Sequence, residues 1–107
     1  MRKGSDQVEI VSVAPDRYAV RGALTFRTAR TACESAMRML NGSGGGGPIE
    51  VDCAGVSESD SAGLAVLVYW LGRAQSAGRG LKFSNIPAEI HALARISDID
   101  EIVEAGV

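Results

Sequence analysis

The amino-acid sequence predicts an α/β fold: a small mixed β-sheet, made of an N-terminal hairpin and parallel strands, with helices packed on it. Three observations lead to this prediction. Apolar and polar residues alternate on both sides of an early turn signal, later segments repeat apolar residues at helical spacing, and short strand-like runs separate those segments. Strands that alternate with helices along a chain are typical of parallel strands joined by right-handed crossovers.

The first predicted element is the β-hairpin. The alternating run VEIVSVA (Val8–Ala14) predicts its first strand, Pro15-Asp16 signals a turn, and residues 18–20 predict the second strand. Gly22 is expected to close the hairpin. The polar residues 1–7 in front of it are expected to form a flexible tail.

The next element is an amphipathic helix at about residues 26–40, which Asn41-Gly42 is expected to end. Its apolar residues recur at helical spacing and are expected to form one packed face: Phe26, Ala29, Cys33, Ala36, Met37 and Leu40. The glycine-rich run GSGGGG follows, and residues 42–47 are predicted to be a flexible connector. A phosphate-binding loop would follow a strand and contain a lysine, and this run does neither, so it predicts no nucleotide site.

The second half of the chain predicts two strand-helix units. A β-branched run at residues 49–53, bounded by Pro48 and Gly55, predicts a strand, and a helix at residues 61–77 follows it. Leu81–Ser84 predicts the last strand. Asn85 is expected to cap a third helix that carries Pro87 near its first turn, and the apolar residues close to the C-terminus predict a last short helical segment.

Composition indicates one soluble globular domain over residues 1–107, since the chain is 46% hydrophobic and 22% charged. The net charge is −2, and the 11 basic and 13 acidic residues are mixed along the chain. Nucleic acid is therefore not an expected partner, because binding to a phosphate backbone requires a basic stripe. No run reaches the roughly 18 apolar residues that a membrane span needs, and no apolar segment follows the basic N-terminus, so we expect a cytoplasmic protein.

The residues predict no catalytic site, metal site or cofactor. The one histidine, His91, is expected on the surface of the third helix. Cys33 and Cys53 lack the close spacing of zinc ligands, and each falls in an apolar pattern, so both are predicted to be buried, reduced and structural. The carboxylates of the second half mostly fall where they can cap helices or lie in first turns, namely Glu58, Asp60, Asp98, Asp100 and Glu101. These absences favour a binding module over an enzyme.

The stretch SESDSAGLAVLVYWL, residues 57–71, carries the main functional signals. One side of its helix is expected to pack on the sheet and collects Leu64, Leu67, Val68, Leu71, Ala74 and Gly78. The other side is expected to face solvent and collects Ala62, Val66, Tyr69 and Arg73, with Trp70 at its flank. Such a side predicts a protein interface, unless the third helix or the N-terminal region covers the two aromatic residues.

Asp60 and Ser61 stand at the start of this helix. Capping of free backbone N–H groups would explain both residues, and a functional role for Ser61 as a switch is equally open. A phosphate on Ser61 would add about −1.5 to −2 charges beside Asp60 and Glu58 and weaken an apolar contact. The predicted partner-binding residues are Ser57, Asp60, Ser61, Ala62, Val66, Tyr69, Trp70 and Arg73.

The strand-loop-helix unit VDCAGVSESDSAGLAVLV resembles the signature of STAS domains, the fold shared by anti-sigma factor antagonists and sulfate-transporter tails. The resemblance lies in a strand that ends in Val51-Asp52, the core Asp60-Ser61-x-Gly63-Leu64 and the apolar helix. The order of elements fits this fold over the whole chain. In that family, the residue that corresponds to Ser61 is often phosphorylated.

Within the STAS family, the C-terminal half is most similar to the MlaB-like subunits of Mla-type phospholipid transport systems. This resemblance implies a non-enzymatic cytoplasmic subunit that binds and supports the ATPase of an ABC complex (MlaF-like), lies at the inner membrane through that partner, and serves outer-membrane lipid asymmetry. Members of this subgroup commonly carry threonine and glycine where this chain has Ser61 and Ala62. The alternative is an anti-sigma factor antagonist whose Ser61 is phosphorylated by a partner serine kinase.

Overall fold

A computed structural model of the chain describes residues 7–42 and 47–107, which form a four-stranded sheet and four helices. The strands are β1 (Val8–Ala14), β2 (Arg17–Leu24), β3 (Ile49–Ser59) and β4 (Leu81–Ser84). The helices are α1 (Ala29–Gly42), α2 (Ser61–Ser76), α3 (Ala88–Ile96) and α4 (Asp100–Ala105). The predicted order of elements is confirmed.

The sheet is mixed, as predicted, with the strand order β1-β2-β3-β4. β1 and β2 are antiparallel, whereas β3 is parallel to both β2 and β4. The hairpin turn between β1 and β2 holds Asp16 at a φ of 61°, a left-handed conformation that aspartate adopts more readily than most residues.

The helices cover one face of the sheet. Alternate residues of the parallel strands are buried against them, among them Val51 in β3 and Phe83 in β4. The residues between them, such as Glu50 and Lys82, are exposed. Because strand side chains alternate between faces, the opposite face of the sheet is open to solvent. The core therefore lies in a single layer between the sheet and the helices.

β3 is longer than predicted, because it continues from residue 53 to Ser59. Its second half pairs with the end of β2, where Leu24 lies opposite Ser59. The register shifts near Gly55, and a Cβ at Gly55 would lie 2.9 Å from the carbonyl oxygen of Val20. This glycine therefore marks a close approach of two strands and not the end of one.

The predicted capping role of Asn85 is wrong. The N-cap of α3 is Pro87, and no side chain caps this helix. Asn85 has a φ of 56°, and its Nδ2 donates a hydrogen bond of 2.9 Å to Oδ1 of Asp52. This bond, together with one from the backbone N–H of Ala54, lowers the pKa of Asp52. Asn85 thus ties the β4–α3 connection to β3.

Two predicted flexible segments fall largely outside the described residues. Of the tail at residues 1–7, only Gln7 is described, and its carbonyl accepts a hydrogen bond of 2.8 Å from the N–H of Ala23. Of the connector at residues 42–47, Gly42 ends α1, and the carbonyl of Gly47 accepts a bond of 2.9 Å from Arg79. Within the described ranges, no helix is both long and apolar enough to cross a membrane.

Candidate functional site

Asp60 is the N-cap of α2. Its Oδ1 accepts hydrogen bonds from the N–H groups of Ala62 and Gly63, at 2.9 and 3.3 Å. Its Oδ2 accepts one of 3.2 Å from the N–H of Phe26, in the connection between β2 and α1. One carboxylate therefore satisfies two free donors of the helix and joins that helix to a neighbouring segment. The capping interpretation is confirmed for Asp60.

Ser61, the first residue of α2, is exposed. Its side chain makes no hydrogen bond with the parts of the chain that the structure describes, so the hydroxyl is not a cap. Ser57, at the end of β3, is exposed as well. The N-terminus of a helix tolerates negative charge, so a phosphate on Ser61 would change the surface charge without disrupting α2.

Gly63 lets the first turn of α2 lie directly against the end of β2. A Cβ at this position would lie 2.4 Å from the carbonyl oxygen of Leu24 and 3.3 Å from Cδ1 of Ile90. Only a residue without a side chain fits there. Asp60 and Gly63 therefore position the helix, whereas Ser61 between them has no structural contact of this kind.

Val66 and Trp70 do not face solvent, so that part of the sequence prediction is wrong. Each is only 1% exposed. The indole Nε1 of Trp70 donates a hydrogen bond of 2.9 Å to the carbonyl of Ala32 in α1, and its ring centroid lies 6.4 Å from that of Phe83. The covering element is α1, and not the third helix or the N-terminal region that the sequence left open.

The predicted packing of Val68 on the sheet is also wrong, because this residue is 39% exposed. Gly78, assigned to the same packed side, is exposed beyond the end of α2. Tyr69 and Arg73 are exposed as predicted, and Ala62 is half-buried. α2 packs against the sheet, α1 and α3 at once, so its buried arc is wide. That arc consists of Gly63, Leu64, Val66, Leu67, Trp70, Leu71 and Ala74.

The predicted packed face of α1 is confirmed in part, because Ala36 is buried and Ala29, Cys33 and Leu40 pack against the core. Its buried residues include Ala32, Ala36 and Met39, whereas Met37 is 49% exposed and Phe26, which precedes the helix, is 77% exposed. The prediction is therefore wrong at Phe26 and Met37, and it did not include the buried residues Ala32, Ser35 and Met39. The small residues Ala32 and Ala36 were the signal in the sequence for the side that faces α2, because small side chains allow the two helices to lie close together.

The exposed residues of α1 and α2 meet along one junction. Nη2 of Arg73 in α2 lies 3.4 Å from Sδ of Met37 in α1. At the other end, the backbone of Phe26 binds Asp60, next to Ser61. We call this exposed region the α1–α2 surface and define it by Phe26, Arg30, Met37, Ser61, Tyr69 and Arg73. The exposure of its α2 residues was predicted from the sequence, whereas the exposure of Phe26 and Met37 was not.

The thiols and the histidine lie elsewhere in structural roles. Cys33 and Cys53 are free; Cys53 is buried as predicted, and Cys33 is half-buried. Burial, with a smaller contribution from the charge of Asp52, raises the pKa of Cys53 to about 12. Nδ1 of His91 in α3 lies 3.1 Å from Oε2 of Glu104 in α4. The described residues contain no group of three or more potential metal ligands.

Comparison with known proteins identifies the family. A model of the MlaB STAS domain matches residues 12–104 of the chain. The crystal structure of a candidate anti-sigma factor antagonist from Thermotoga maritima has a similar fold, with a TM-score of 0.63 and 19% sequence identity over 92% of this chain and 82% of that one. No curated protein matches the chain. The chain belongs to the MlaB-like family of STAS domains.

Proposed function

We propose that the protein is a non-enzymatic adaptor that binds and supports the ATPase subunit of an ABC-type phospholipid transporter, and thereby serves outer-membrane lipid asymmetry. The observation that carries the proposal is the match of residues 12–104 to the MlaB STAS domain. In this role the protein is cytoplasmic and reaches the inner membrane through its partner.

The α1–α2 surface supports a protein-binding role. It presents Tyr69, Arg73 and Met37, and tyrosine, arginine and methionine are enriched at protein interfaces. The surface is also fixed in place, because Asp60 ties the start of α2 to the segment before α1. A preorganised surface loses less conformational entropy when a partner binds.

Co-purification tests this proposal directly. The tagged chain is isolated from detergent-solubilised cells of its own organism, with an untagged strain as control, and the bound proteins are identified by mass spectrometry. The proposal predicts an ABC ATPase together with its membrane permease. A soluble serine kinase without any membrane component would contradict it.

The anti-sigma factor antagonist remains the second candidate, and the state of Ser61 is the observation that favours it. An exposed hydroxyl without a hydrogen bond, at the first position of a helix, is accessible to a kinase. This candidate predicts stoichiometric phosphorylation of Ser61 and a partner that binds Ser61→Ala but not Ser61→Asp. Equal affinity of the partner for both variants would exclude the switch.

A further inference from the structure

We infer that two copies of this chain pair through the outer edge of β1, antiparallel to each other, so that their two four-stranded sheets become one continuous sheet. Such pairing goes beyond the proposed function, because it requires no ATPase. Three features support it: the contrast between the two edges of the sheet, the backbone groups that β1 leaves unpaired, and the match of β1 with its own sequence.

The two edge strands of the sheet, β1 and β4, differ in how they are protected. β4 has four residues and includes Lys82, and Leu81 at its start exchanges backbone hydrogen bonds of 3.1 and 2.9 Å with Val107. A short strand, a lysine and a covering segment all prevent an edge from pairing with another chain. β1 has seven residues without lysine or proline, and no described segment is hydrogen-bonded to its outer edge. β1 is therefore the edge that is open to pairing.

The outward backbone groups of β1 belong to Val8, Ile10 and Ser12. The N–H of Ala23 in β2 donates a hydrogen bond of 2.8 Å to the carbonyl of Gln7, and this bond fixes the alternation along the two strands. In an antiparallel ladder every second residue bonds to the neighbouring strand, and the residues between point their N–H and C=O groups away from it. Within the described ranges, these outward groups have no partner.

α1 leaves this edge accessible. Two open depressions, of about 540 and 350 Å³, are bordered by β1 and α1. Thr31 and Arg38 of α1 line them, and Nη2 of Arg38 donates a hydrogen bond of 2.9 Å to Oγ of Ser35. Met37 lies on a different side of α1, where its sulfur contacts Arg73. A strand added beside β1 would therefore lie next to these depressions and away from the α1–α2 surface.

The backbone of β1 matches a second copy of itself in a register centred on Ile10. The regular part of the strand is residues 8–12, because the register with β2 shifts between Ser12 and Ala14, and Ile10 is its midpoint. In this register Val8 lies opposite Ser12 of the second copy, and the two Ile10 residues lie opposite each other. The three pairs exchange about six main-chain hydrogen bonds.

The side chains favour the same register. It brings together the two Ile10 side chains, each of which is half-buried against the core of its own copy. On the open face of the sheet, Glu9 lies opposite Val11 of the second copy, so no like charges are directly paired. A junction centred on Glu9 instead would place two carboxylates opposite each other, which is unfavourable. A second copy fits this edge because β1 itself supplies an apolar centre with its charges out of register.

Disulfide trapping tests the register. Glu9→Cys and Val11→Cys are purified separately, mixed and mildly oxidised, and the crosslinked dimer is measured on non-reducing gels. The two positions face each other with Cα atoms about 4.5 Å apart, which a disulfide spans, whereas either variant alone would have to bridge a diagonal of about 7–8 Å. We expect crosslinking mainly in the mixture. The unaltered chain, whose Cys33 and Cys53 are free, gives the background.

Sedimentation velocity over a wide range of protein concentrations tests the association itself. Val11→Glu places a carboxylate opposite Glu9 of the second copy at both ends of the junction, so we expect the association constant to fall about tenfold. The matched control is Ala54→Glu, which adds the same charge to the exposed side of β3, with β2 between it and the junction. It should associate within about twofold of the unaltered chain. Circular dichroism checks the folding of both variants.

The outcomes decide the inference without reference to the proposed function, because no ATPase is present. Association that Val11→Glu weakens and Ala54→Glu does not, with crosslinking specific to the mixture, supports pairing through β1. A chain that stays monomeric at every concentration overturns it. A dimer that Val11→Glu leaves unchanged, or crosslinking that is equal in the mixture and in the single variants, also overturns it, because the contact would then lie elsewhere.

Discussion

The two sides of α2 differ in burial far more than in polarity. Trp70 is 1% exposed, whereas its neighbour Tyr69 is 44% exposed, and the exposed side also includes Val68. Between Ser61 and Arg73 the exposed residues are mostly apolar, like the buried ones, so residue type separates the two sides only near the ends of the helix. The difference comes from α1, whose small residues allow it to lie over Trp70 and leave Tyr69 uncovered. Because α2 is apolar on most sides, its contacts with neighbouring elements determine which of its residues are buried in the core and which remain exposed for a partner.

Trp70→Ala should cause the largest loss of stability, because it removes a fully buried ring together with the hydrogen bond from its indole to the carbonyl of Ala32. We expect the free energy of unfolding to fall by about 3–5 kcal/mol in urea denaturation. Tyr69→Ala is the matched control and should change it by less than about 1 kcal/mol. Equal losses at the two positions would refute the assignment of the two sides.

Gly63→Ala should destabilise the protein by about 1–3 kcal/mol, since its Cβ would meet the carbonyl oxygen of Leu24. Gly72→Ala is its control in the same helix, because a Cβ at Gly72 meets nothing within 4 Å. Alanine is the better helix former, so the control should be more stable by up to about 1 kcal/mol. Thermal unfolding should show a lower melting temperature for Gly63→Ala and a higher one for Gly72→Ala. A lower melting temperature for Gly72→Ala would contradict the assignment of Gly72 to the exposed side of α2.

Asp60→Ala should lower the free energy of unfolding by about 1 kcal/mol, because it removes the N-cap of α2. Ser61→Ala should change it by less than about 0.5 kcal/mol, since the hydroxyl supports nothing in the described structure. Chemical denaturation of the two variants side by side measures the difference. A larger loss at Ser61 would show that the serine is structural.

The sequence was sufficient for the order of the elements, the hairpin, the strand β4 and the start of α2. These depend on local signals: alternation, turn residues and the capping carboxylate of Asp60. The strand β3 was cut short because Gly55 reads as an end in the sequence, although in the fold it fits a tight approach to Val20. The pattern of residue types along a single strand does not indicate such a contact with a neighbouring strand.

The candidate site was only half predictable for a related reason. The exposure of Tyr69, Arg73 and Ser61 was predicted, because a helix with apolar residues on most sides must expose some of them together with its polar residues. The exposure of Met37 and the burial of Trp70 depend on how α1 is rotated about its axis, and α1 has apolar residues on two sides, with Ala32 and Met39 on one and Met37 on the other. Only tertiary packing selects between them.

The affinity of the purified ATPase subunit for Tyr69→Ala tests the central claim most directly, because this change removes an exposed aromatic ring from the side of α2 that we assign to a partner. We predict binding about tenfold weaker than that of the unaltered chain, with unfolding almost unchanged. Unaltered affinity in a folded Tyr69→Ala variant would contradict the assignment of this side of α2 to the partner.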